Sequence, residues 1–187
     1  MDFLTRAFGP SRASIWQQLA QEVDGTYLEG RGWHGDRVVA THDGWTVTLE
    51  TEFNAASKTT HTRLSAPFRN PSGFHFTIYR RGAFTDLAKK LGMQDVEVGH
   101  AGFDRDFVIK GNDEHKLKKL FANAAIRALI EAQPEVSFTS EPPWSFMRDS
   151  DDVDELSFRV SGMPKDVARL KGLFDLFAET LDEIGTR

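Results

Sequence analysis

The stretch that most limits what this chain can fold into is the alternation VVATHDGWTVTL over 38–49. Asp43-Gly44 is a two-residue hairpin signal, because both turn positions need a backbone conformation that Asp tolerates and Gly adopts freely. The turn pairs 42 with 45, 40 with 47 and 38 with 49. Val38, Ala40, Trp45, Val47 and Leu49 then share one face, and a slip of one residue would turn all of them to the other. Such a face needs a second layer over it.

The alternation continues. A strand over 59–68 adds Leu64, Ala66 and Phe68 to the same face. Asn70-Pro71-Ser72-Gly73 makes a turn, with Pro presetting one backbone angle and Gly closing it. Phe74, Phe76 and Ile78 extend the inner side. The expectation is an antiparallel meander of four or five strands, with Thr62 opposite Leu49, His61 opposite Glu50 and Arg63 opposite Thr48. Short strands are expected at 26–29, 103–110, 136–139, 144–148 and 155–160.

Helical spacing supplies the other layer. Ser11 caps a helix over 11–23 with Ile15, Trp16, Leu19, Ala20 and Val23 on one stripe. Further helices are expected over 85–91, over 113–133 with a kink near Asn123, and from Pro164 to about 184. The last carries Val167, Leu170, Phe174, Phe177, Leu181 and Ile184 at spacings of three and four. That breadth suits packing on the chain's own sheet, and the same stripe offers a route to a homodimer. The predicted fold class is α+β, an antiparallel meandering sheet with helices mainly on one face. One domain over 1–187 is expected, with two intimately packed halves dividing near residue 92.

Composition narrows the function classes. The 187 residues include 15 Phe and 4 Trp, which supply large apolar side chains for a core. The net charge of −5 disfavours nucleic acid and anionic membrane as partners, both of which need clustered Lys and Arg. With no Cys, disulfides, thiolate catalysis and Cys-based zinc sites are out. The start MDFLTRAFGP does not read as a secretory signal, and the expected compartment is the cytoplasm. No cofactor and no metal are expected. The acidic loop over 149–155 misses the calcium-loop pattern, with Val153 at its fifth position and Asp154 where the turn glycine belongs.

Two surfaces stand out as candidate binding sites. GRGWHG over 30–35 spells a G-x-G-x-x-G, but a dinucleotide cradle needs a helix directly after it, and here a strand follows. It reads as a glycine-rich connection presenting Arg31, Trp33 and His34 at its tip. The outer face of the meander gathers His61, Arg63, His75, Tyr79 and Arg81, residue types that bind an anion or a peptide carboxylate. A catalytic alternative would use carboxylates and histidine among Asp104, Asp106, Asp113, Glu114, His115 and Lys116. Helix capping accounts for Asp113 and Glu114 without it.

The run FDRDFVIKGND resembles a family of uncharacterised bacterial proteins in which F-[DE]-x-x-F-x-V is a strand leading into a helix. The matching residues are Phe103, Asp104, Phe107, Ile109 and Asp113. The resemblance covers about the C-terminal half and implies a bacterial intracellular α+β domain without site residues. A fold-level analogy also links the chain to secretion chaperones, acidic dimers that hold a partner segment. The functional expectation is a non-enzymatic binding or regulatory module for a protein or small ligand.

Overall fold

The computed structural model describes residues 11–30, 35–54, 58–82, 94–142 and 152–185. In chain order the elements are α1 (Arg12–Glu22), β1 (Thr26–Leu28), β2 (Arg37–His42), β3 (Trp45–Asn54), β4 (Thr59–Arg69), β5 (Phe76–Arg80) and β6 (Gln94–Asp95). They continue with α2 (Ala101–Asp106), β7 (Phe107–Gly111), α3 (Glu114–Ala122), α4 (Ala124–Glu131), β8 (Ser137–Glu141), β9 (Val153–Ser161) and α5 (Val167–Ile184). The expected helix over 85–91 and strand over 144–148 lie outside the described residues, as do Arg31, Trp33 and His34.

All nine described strands form one antiparallel sheet, in the order β1-β2-β3-β4-β9-β8-β5-β7-β6. One cross-strand row states its logic. Tyr27, Val38, Leu49, Leu64, Phe158, Phe138, Ile78 and Ile109 are successive partners from β1 to β7. Their chain neighbours form the adjacent row on the opposite face: Thr26, Val39, Thr48, Ser65, Ser157, Thr139, Thr77 and Lys110. Period-two patterning therefore sorts aliphatic and aromatic side chains inward and mostly hydroxyls outward across the whole sheet.

The expected hairpin has its predicted register, and positive φ at Asp43 (49°) and Gly44 (85°) closes its turn. The next register is two residues from the expected one. Leu49 faces Leu64, Glu50 faces Arg63 and Glu52 faces His61. A shift of two keeps every side chain on its face, so hydrophobic patterning alone cannot distinguish the two registers. The meander also stops at β4. β9 takes the edge of β4, and β5 pairs instead with β7 and β8.

The described helices cover the inner face. Ile15, Trp16, Leu19 and Ala20 of α1 are buried there, as are Leu170, Leu173, Phe174, Leu176, Phe177 and Leu181 of α5. Phe174 and Phe177 are 0% exposed within the single chain, so these two side chains of the expected stripe pack on the chain's own sheet. Aromatic contacts carry the core across the sheet, with Phe138 against Phe177 at 5.7 Å and against Phe76 at 5.5 Å between ring centroids. Polar pins hold α5 to the hairpin: Trp45 Nε1 donates to Asp182 at 2.8 Å, and His42 Nε2 lies 2.8 Å from Asp175.

Local capping settles the other helix ends. Ser11 caps α1, Asp113 caps α3, and Asn123 ends α3 and caps α4, which places the break where the sequence suggests it. Two boundaries differ. Pro164 precedes α5, whose cap is Asp166. The expected strand over 103–110 is a helix through Asp106 and a strand only from Phe107. Asp104 explains the second difference: its carboxylate accepts the N–H groups of Val98 (2.9 Å), Gly99 (3.0 Å) and His100 (2.9 Å), so local side-chain bonds override the alternation.

Candidate functional site

The outer face assembles only part of the cluster expected from sequence. Arg63 is its centre. Its guanidinium lies 3.1 Å from Glu50 and 3.3 Å from Glu52 and pairs with Glu155, while Arg159 reaches Glu52 at 3.2 Å. Burial opposes the Arg63 charge, but Glu155, Glu52 and Glu50 outweigh it and lift its pKa above the usual arginine value. The guanidinium is thus committed to internal carboxylates. His61 stays on this face beside the Thr59 hydroxyl at 2.9 Å.

The other three residues do not join it. Tyr79 is buried. Arg81 donates to the carbonyls of Arg105 (3.1 Å), Asp104 (3.3 Å) and Phe107 (3.3 Å), closing the end of α2. His75 lies before β5, and its Nε2 sits 2.8 Å from Asp154. Asp154 belongs to the acidic loop over 149–155, yet it is only 6% exposed, and Asn70 and His75 both bond to its carboxylate.

The G-x-G-x-x-G stretch connects antiparallel strands, β1 and β2, with no helix after it. Its described ends are clamped. Asp36 accepts from Gly30 N–H at 2.9 Å and from Arg12 at 3.0 and 2.7 Å. The Gly30 N–H is the largest influence on Asp36, burial works against it, and Arg12 adds to it; the net effect holds the carboxyl below its ordinary value. The catalytic alternative disperses as well. Asp104 is occupied by three N–H groups, Asp106 pairs with Arg105 at 2.8 Å, and His115 is exposed.

The feature that sequence reasoning missed lies at the opposite end of β5. Two asparagines stitch the 70–75 loop. Asn70 Oδ1 accepts from Phe74 N–H (3.1 Å) and the Ser72 hydroxyl (2.9 Å), and its Nδ2 donates to Phe74 O (2.9 Å). Asn112 Nδ2 donates to Gly73 O at 2.6 Å, and its Oδ1 accepts from His75 N–H at 2.9 Å. Asn112 directly precedes α3, so the loop and that helix are fixed to each other. Gly111 allows this approach, since a Cβ there would lie 2.7 Å from a Leu117 methyl and 3.0 Å from His75 O.

Between this loop, α3 and the end of α5 is a cleft of about 290 Å³, lined by Pro71, Ser72, Phe74, Lys116, Lys119, Leu120, Glu183 and Ile184. Phe74 and Leu120 are almost fully buried and form an apolar floor. Positions 116, 119 and 120 share one helix face by their spacing. Lys116 Nζ lies 5.6 Å from the centre of the Phe74 ring, a cation–π contact. Among the described residues its carboxylate neighbour is Asp113 at 3.9 Å, and Lys119 is 3.6 Å from Glu183, both beyond a direct hydrogen bond. By contrast Lys118, away from the cleft, bonds Glu114 at 2.6 Å. The K-x-x-K-L spacing was legible in sequence. Its placement against the loop and α5 was not, since residues far apart in the chain create it.

No protein-family model matches the chain, and no curated protein matches it significantly. Among solved structures, the chain is similar to the mycobacterial trehalose monomycolate transport factor A, TtfA, with a TM-score of 0.55 and 9% identity over 94% of this chain and 97% of that one. At that identity the likeness is one of fold.

Proposed function

We propose that this protein is a bacterial, cytoplasmic, non-enzymatic binding module and that the cleft beside α3 is where it binds. The observation that carries the reading is the cleft itself: a pre-stitched wall, an apolar floor and two ammonium groups that, among the described residues, have no carboxylate within direct hydrogen-bond distance. Pre-organised concavities with few polar groups are how proteins hold small ligands. The close acid–base pairs support the same reading, because His42–Asp175 and His75–Asp154 tie elements together and neither residue pair lines the cleft. The protein similar in fold is a transport factor, a role that agrees in kind with binding. No described helix is long and apolar enough to cross a membrane. The resemblance to an uncharacterised bacterial family belongs to the same proposal and adds no site residue.

A neutral apolar probe tests the reading. Titration of 4-phenylbutan-1-ol into 15N-labelled protein is expected to shift the amide signals of Ser72, Phe74, Leu120 and Ile184, and Ile184→Glu, at a half-buried position of the cleft wall, is expected to abolish those shifts. Shifts elsewhere, or none at millimolar probe, would overturn the cleft as the binding site.

A further inference from the structure

Resting on the binding reading above, we propose that the cleft selects a small free carboxylic acid with a compact apolar body. The apolar end would lie on Phe74 and Leu120, and the carboxylate would bridge Lys116 and Lys119.

The loose pairing of the two lysines points to an anion. Each has one carboxylate nearby among the described residues, Asp113 for Lys116 and Glu183 for Lys119. An ammonium has three donors. Among the described residues, those of Lys116 and Lys119 find carboxylates only at 3.9 and 3.6 Å, so an arriving carboxylate would gain charge-assisted bonds without first breaking short ones to them. The two lysines are three residues apart on one face of α3, next to Leu120, a spacing that a two-oxygen acceptor can bridge.

Size sets the apolar body. A cavity of about 150 Å³ holds a benzene-sized ligand, so 290 Å³ admits one ring with a short chain. The floor is aromatic and aliphatic, and the loop above it is held by Asn70 and Asn112, so little ordering is left to be done on binding.

Calorimetry at low ionic strength on the intact chain tests this with 4-phenylbutyrate, 4-phenylbutan-1-ol and 4-phenylbutylamine. The acid is expected to bind with one-to-one stoichiometry and at least about tenfold more tightly than the alcohol, with the amine weakest. Lys116→Met with Lys119→Met is expected to remove the preference for the acid over the alcohol. Both side chains are substantially exposed, at 39% and 69%, so the double variant is expected to fold. An alcohol or amine that binds as tightly as the acid overturns the carboxylate assignment and leaves the cleft standing. If none of the three binds, both the assignment and the cleft reading fall.

Discussion

Asp36→Asn tests the clamp on the glycine-rich connection. Asp36 holds Gly30 N–H at 2.9 Å on one oxygen and two Arg12 donors, at 3.0 and 2.7 Å, on the other. Asparagine keeps an oxygen for Gly30 but turns an amide donor toward the guanidinium. A hydrogen bond to a charged group contributes roughly 1.5–3 kcal/mol. The Arg12 side chain is 36% exposed, and that screening brings the expected loss to about 1–2 kcal/mol. For a chain of this size the melting temperature should fall by about 3–6 °C at pH 7. The pH dependence is the sharper readout. A carboxyl whose folded pKa lies below its unfolded value stabilises the protein fully above that unfolded value, here near 3.8, and loses the contribution as pH falls through the lower folded value. Urea unfolding of both proteins from pH 7 down to about 3 should therefore show a gap that is constant above pH 5 and narrows below pH 4. Other titrating groups are common to both chains and cancel in the difference. A gap that stays constant to the lowest pH at which the wild type folds, or no gap at pH 7, would refute the clamp as the source of the stabilisation.

Other outcomes follow from the same contacts. Phe158→Ala empties a fully buried site on the central strand pair and should cost about 3–5 kcal/mol in urea unfolding. Arg63→Met leaves Glu50, Glu52 and Glu155 facing one another, and a loss of about 2–4 kcal/mol is expected; adding Glu155→Gln should recover part of it, and simple additivity would deny the network. Asn112→Ala should speed hydrogen exchange at the His75 amide at least tenfold while exchange in β3 stays unchanged. Phe174→Glu should abolish folding at every concentration by far-UV circular dichroism, and a folded monomeric variant would contradict the burial of that face.

Local chemistry in the sequence determined a good deal by itself. Asp43-Gly44 with alternating neighbours fixes a hairpin and its register, because a two-residue turn permits one pairing and one face must be dry. Ser11, Asp113 and Asn123 mark helix starts, since a cap needs only its own side chain and the next few N–H groups. The absence of a helix after GRGWHG was equally local, and it removed the nucleotide reading. Tertiary structure decided what depends on distant partners. The strand that takes the edge of β4 is β9, a choice invisible to patterning, because every inward-facing strand of this chain offers a similar apolar row. The same holds for polar residues. His75, Tyr79 and Arg81 share a parity in the sequence, yet Asp154, a buried sheet face and the end of α2 claim them one by one. The cleft beside α3 required the 70–75 loop, α3 and the end of α5 to meet, and only packing of the whole sheet brings those segments together.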